Sequence, residues 1–123
     1  MREIRFRGRK KDTGSWICGY LFTVWEKSYI LWGTINGVPN MEEVIPETVG
    51  QYTGKKDKNG KDIYEGHIVF FVPYGLSDNN RVVEWINGMF VAKLIRSGYA
   101  KPLCEFKQDD LEIVGNIHER VTE

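Results

Sequence analysis

Apolar and polar residues alternate from the first positions of the chain: Ile4 and Phe6 stand between charged neighbours over Glu3 to Arg7. A period of two is the mark of a strand with one buried face. Lys11-Asp12-Thr13-Gly14 follows as a turn, and Trp16 to Thr23 as the returning arm of a hairpin. That arm is nearly continuous in apolar residues, so it is expected to bury side chains on both faces, with Gly19 at a bulge or a close backbone approach. Tyr29 to Ile35 predicts the next strand, closed by the tight-turn dipeptide Asn36-Gly37. Pro39 and Pro46 disfavour a helix across the following stretch, so Met41 to Val49 is expected to be extended with at most one helical turn.

The second half repeats the pattern. Asn59-Gly60 and Glu65-Gly66 are turn signals around Ile63-Tyr64, and His67 to Val72 has the β-branched and aromatic content of a core strand. Pro73 to Asn80 reads as a loop. Arg81 to Ile86 and Met89 to Ile95 flank Asn87-Gly88, the clearest hairpin in the chain, and Leu111 to Ile117 supplies a closing strand after one helical turn near Phe106 to Asp110. Short strands at such spacing, with glycine turns and no long amphipathic helix, predict an all-β sandwich or small barrel.

The chain has 123 residues, the size of one ordinary domain, so any division must be into small lobes. The expected division is an N-terminal β lobe over residues 1–48 and a second lobe over 49–123, packed as one compact unit. Seventeen basic and seventeen acidic residues cancel, which removes the simplest electrostatic case for a nucleic-acid or membrane-surface protein. The balance hides a polarity. Residues 1–12 carry six bases and two acids, whereas residues 105–123 carry six acids and two bases, an arrangement suited to head-to-tail contact between copies. Cys18 and Cys104 lack partners at metal-ligand spacing and are expected to be reduced thiols; with no apolar signal segment or span, the cytoplasm is the expected compartment.

Tests for chemistry return little. Counting from Asp57, an EF-hand would need Gly at the position of Asp62 and Glu at that of Ile68, so this loop reads as a turn. Gly75-Leu76-Ser77 is not completed to a nucleophile elbow, and His67 and His118 have no recognisable nucleophile nearby. Neither a metal nor a cofactor is expected. Glu42, Glu43, Glu65, Asp109, Asp110 and Glu112 are the carboxylates available to a hydrolase, the least favoured reading. Tyr52, Tyr64, Tyr74, Trp85 and Phe90 are interleaved with Lys55, Lys56, Lys58, Lys61, Arg81 and Lys93, a composition suited either to a core or to stacking and phosphate contacts with nucleic acid.

Gly50-Gln51-Tyr52-Thr53-Gly54, then Asp57-Lys58-Asn59-Gly60-Lys61-Asp62-Ile63-Tyr64-Glu65-Gly66 and Ile68-Val69, closely resembles the hallmark of the YopX family of phage and prophage proteins. Arg2 to Gly8 with Thr13 to Trp16 and Gly19-Tyr20, and Asp110 to Ile117, resemble its terminal signatures. The resemblance implies a small β-rich protein with an SH3-like barrel in its second half, encoded by a phage or prophage, and it carries no catalytic or ligand residue to transfer. The family pattern usually has Asp after Tyr-Glu-Gly, where His67 stands here. A neutral imidazole accepts one turn amide and a protonated one does not, so the turn is expected to be sensitive to mild acid. The function expected is a non-enzymatic binding or assembly module, with self-association or a phage or host protein as partner; nucleic-acid binding through the second half is the alternative. Tyr52, Lys55, Lys56, Tyr64, His67 and Tyr74 are the candidate binding residues.

Overall fold

The computed structural model describes residues 3–74 and 79–118; Tyr74 is described in its backbone only. Its eleven strands are β1 (Phe6–Arg9), β2 (Trp16–Val24), β3 (Lys27–Ile35), β4 (Val38–Val44), β5 (Gly50–Lys56), β6 (Asp62–Tyr64), β7 (His67–Phe71), β8 (Asn80–Ile86), β9 (Met89–Leu94), β10 (Ala100–Pro102) and β11 (Leu111–Asn116). Single 3₁₀ turns stand at Pro46–Thr48, Val72–Tyr74, Leu103–Glu105 and Gln108–Asp110. The fold is all-β as expected, its strands antiparallel and its described residues free of any helix of seven residues or more. The chain divides into two compact units, Met1–Tyr52 and Thr53–Glu123, and β5 runs through the boundary.

In the first unit the strand order is β4-β3-β2-β1, with the opening residues of β5 beyond β1. The strands curl far enough for the two ends to meet. Lys10 bridges to Val44, Lys11 N donates to the Glu43 carbonyl at 2.9 Å, and Ile45 N donates to the Arg9 carbonyl at 2.9 Å. Thr48 seals this closure: its hydroxyl accepts from Arg9 N at 2.9 Å and donates to the Ile45 carbonyl at 2.6 Å. Ile30 and Val44 are fully buried on the inner face. Gly8 faces Val44 so closely that a Cβ there would stand 3.1 Å from the valine Cβ, and a Cβ at Gly19 would strike the Leu31 carbonyl oxygen at 2.2 Å. The close approach expected at Gly19 is therefore present.

The expectation that β2 buries both faces is corrected. Its register sets Leu21 opposite Ile30, but Tyr20 and Phe22 point to the other face, where they are 64% and 50% exposed. A strand read alone cannot show which of its faces receives a covering layer, and in this unit one does not. Three two-residue hairpin turns use left-handed backbone at both central positions. Asn36-Gly37 and Asn87-Gly88 do so with residues suited to it, whereas Trp25-Glu26, at φ 48° and 68°, joins β2 to β3 with two residues that are not.

In the second unit the order is β10-β9-β8-β7-β11, with β6 against the later part of β5. Ile63, Val69, Val83, Ala92, Leu103, Phe106 and Leu111 form its core, and Phe71, Phe90 and Ile113 pack around them. Register shifts at Trp32 in β3 and Val114 in β11 leave those two apolar side chains 47% and 52% exposed, as an extra residue in one strand does.

Candidate functional site

The Asp57 loop is built by hydrogen bonds within the second unit. Asp57 has no solvent exposure, and its Oδ1 accepts from Asn59 N at 2.9 Å and Lys61 N at 3.0 Å. Its Oδ2 accepts from Ile113 N at 3.0 Å, and its carbonyl accepts from Gln108 Nε2 at 3.0 Å. Burial pushes the Asp57 carboxyl up, but the amides of Ile113, Lys61 and Asn59, together with the Lys61 charge, outweigh it and hold the group below its ordinary value. A carboxylate that already receives three amides is a staple between the loop and β11. Sequence reading dismissed this residue as a calcium ligand and had no signal for the partner in β11, which lies 56 residues away.

The next turn, Tyr64-Glu65-Gly66-His67, is held in a similar way. His67 is buried, and its Nδ1 accepts from Tyr64 N at 2.9 Å, the bond expected of an acceptor at this place. Gly66 at φ 90° donates to the Val83 carbonyl and accepts from Ile117 N, both at 2.9 Å. His118 borders the same glycine: a Cβ on Gly66 would stand 3.5 Å from its Nε2. The two imidazoles thus flank one turn, and that of His67 holds its backbone in place.

The remaining candidate residues are dispersed. Tyr52 and Tyr64 are buried, at 6% and 4% exposure, so their rings offer no outward stacking surface. Lys56 pairs with Asp62 across the β5–β6 hairpin. Lys55 borders an open groove of about 320 Å³ together with Thr53, Gly54, Met89, Phe90, Pro102, Leu103 and Cys104. Trp85, 51% exposed, packs edge-on against the groove residue Phe90 with ring centroids 4.7 Å apart. The side chain of Tyr74 lies outside the described residues, as do Gly75-Leu76-Ser77 and Glu119.

The carboxylates weighed for hydrolysis do not border this groove. Glu43 pairs with Lys11 at 3.2 Å and Glu112 with Lys58 at 3.7 Å. Among the described residues no group of three or more His, Cys, Asp or Glu is arranged to hold a metal ion, and no helix is long and apolar enough to cross a membrane.

In the first unit a second constellation emerges from the basic head of the chain, which sequence reading took as one half of a head-to-tail charge contact. Arg7 lies opposite Cys18 and Arg9 opposite Trp16, which sets both arginines and the Trp16, Cys18, Tyr20, Phe22 series on one face. The Arg7 guanidinium carbon is 4.0 Å from the centroid of the Trp16 ring and that of Arg9 is 5.6 Å from it; Arg5 lies 4.5 Å from the Tyr52 centroid. Arg5 also pairs with Glu3 at 2.8 Å. The alternation of Arg5, Arg7 and Arg9 was the available signal, but the rings that hold them come from β2 and β5.

A family model described as "YopX protein" matches residues 5–121. The crystal structure of protein EF1440 from Enterococcus faecalis is similar over 100% of both chains, with a TM-score of 0.58 and 18% sequence identity, a likeness of fold. No curated protein matches the sequence. The chain belongs to the YopX family.

Proposed function

We propose that this YopX-family chain is a non-enzymatic binding module that receives an extended polypeptide segment in the groove of its second unit. The observation that carries this reading is the groove itself, where the apolar surface of Met89, Phe90, Pro102 and Leu103 stands beside the cationic Lys55. An apolar side chain inserted there would leave water, and an acidic neighbour in the same segment would meet the lysine. The groove runs beside β10, the edge strand of its sheet, and sheet edges accept added strands through their backbone groups. The partner is a second copy of the chain or a protein of a phage or its host, met in the cytoplasm.

Cys104, an exposed thiol at the groove, provides the test. With Cys18 replaced by serine, a photoreactive maleimide on Cys104 is expected to cross-link a polypeptide in cells that express the protein, and Lys55→Glu or Met89→Asp should abolish the product. Cross-linking indifferent to both substitutions, or no product at all, overturns the reading. Light scattering behind size exclusion then separates self-association from a foreign partner. A second reading, nucleic-acid binding, is favoured by the arginine face of the first unit.

A further inference from the structure

We propose that the β1–β2 face of the first unit is a docking surface for single-stranded nucleic acid, with phosphates against Arg7 and Arg9 and bases on the rings of Tyr20 and Phe22. The inference is independent of the groove, whose lining residues all belong to the second unit.

Three features of the face argue for it. Arg5, Arg7 and Arg9 recur at every second position of an extended segment, so their Cα atoms span about 13 Å at roughly 3.3 Å per residue, room for two or three nucleotides. The guanidinium planes are held by the rings beneath them, with Trp16 serving both Arg7 and Arg9. Arg9 is fixed further by the bond its Nε donates to the Gly14 carbonyl at 3.0 Å, and a guanidinium held in place meets a phosphate with less ordering cost than a free lysine. Beside this cationic row, Tyr20 at 64% and Phe22 at 50% exposure continue the same face, and Phe22 packs against Tyr29 with centroids 6.4 Å apart. Rings next to a basic track are the arrangement that holds single strands without a base code.

The charge environment is consistent with an anion. Residues 1–12 have six bases and two acids, and on this face Glu43, across from Tyr29, is paired with Lys11 while Glu3 pairs with Arg5. Duplex is the poorer fit, because its bases are stacked inside and offer Tyr20 and Phe22 nothing to lie against. A membrane is also the poorer fit: cations that serve an anionic lipid surface reach past the apolar residues, whereas these guanidinium groups lie down on Trp16.

The test is fluorescence anisotropy of a short labelled oligodeoxythymidine, with the matching duplex and phosphatidylcholine vesicles containing phosphatidylserine as parallel probes. At about 50 mM salt the single strand should bind in preference to both, and affinity should fall with salt at a log–log slope near −1.4, the value for about two phosphate contacts. Arg7→Gln with Arg9→Gln should reduce that slope by about 1.4. Tyr20→Ser and Phe22→Ser should each weaken binding roughly tenfold while the salt slope stays the same, the signature of lost stacking. Because both rings are exposed, these two variants keep the test open even if the arginine variant fails to fold. The proposal is overturned if the single strand does not bind at this salt, if duplex binds equally well, if vesicles alone bind, or if loss of the rings has no effect.

Discussion

Seven apolar side chains, from Ile63 to Leu111, meet in one cluster in the second unit, whereas among the described residues of the first unit Ile30 and Val44 are the aliphatic side chains with no exposure while Tyr20, Phe22, Trp25, Trp32, Ile35 and Met41 stand at least 47% exposed. The second unit is held by packing, by a carboxylate that ties its loop to β11 and by an imidazole acceptor within one turn. The first is held by a hydrogen-bonded closure at Thr48 and by arginines laid on rings. A small curled sheet has little interior, so its apolar residues are left to form surface, and surface is what a partner can use. The two proposed sites follow this division: a concave groove in the packed unit and an open aromatic and cationic face in the curled one.

The sharpest way to break the comparison is to cut each core. Leu111→Ala should cost about 4 kcal/mol by transfer and cavity terms. Ile30→Ala should cost less, about 2 kcal/mol, since the smaller interior can relax around the gap. Chemical denaturation read by amide exchange in each unit checks both. Equal losses would show that the first unit is as tightly packed as the second.

Asp57→Ala should come next, at about 3 kcal/mol, because three backbone amides lose a charged acceptor. The pH dependence has a definite sign. With its folded value held below the ordinary one, Asp57 contributes stability that is complete above about pH 4 and lost as pH falls through the folded value. His67 adds a separate sensitivity in milder acid, where a proton on Nδ1 removes the acceptor of Tyr64 N. Thermal stability compared at neutral pH and in mild acid should fall for wild type and stay level for His67→Asp.

The smallest effect is expected at the β2–β3 turn. Replacing Trp25-Glu26 by Asn-Gly should stabilise the first unit by about 1 kcal/mol, since two residues disfavoured at positive φ give way to the pair that adopts it readily. A loss of stability would mean that the exposed Trp25 ring contributes packing that its exposure conceals.

Most strand positions were legible because they depend on local rules. Asn36-Gly37 and Asn87-Gly88 mark turns by their own backbone preferences, and the Gly19 approach was readable from a glycine inside an apolar arm. The site was less so. Tyr52 and Tyr64 carried the same signal as Tyr20 and Phe22, yet the first two are buried and the last two exposed. Trp25-Glu26 gave no warning of a turn, because the pairing of Val24 with Lys27 imposes it against local preference.

The fold class and the glycine turns could be read from neighbours within a few residues, whereas motifs spread along the chain carried the family and, through that resemblance, the acceptor after Tyr64-Glu65-Gly66. That β4 closes onto β1, that Asp57 reaches Ile113, that Lys55 borders a groove, and that Arg7 and Arg9 share the ring of Trp16 emerged from the folded chain alone. Each of those depends on strand register and long-range closure, and residues far apart in the chain carry no local mark of the partner that folding brings to them.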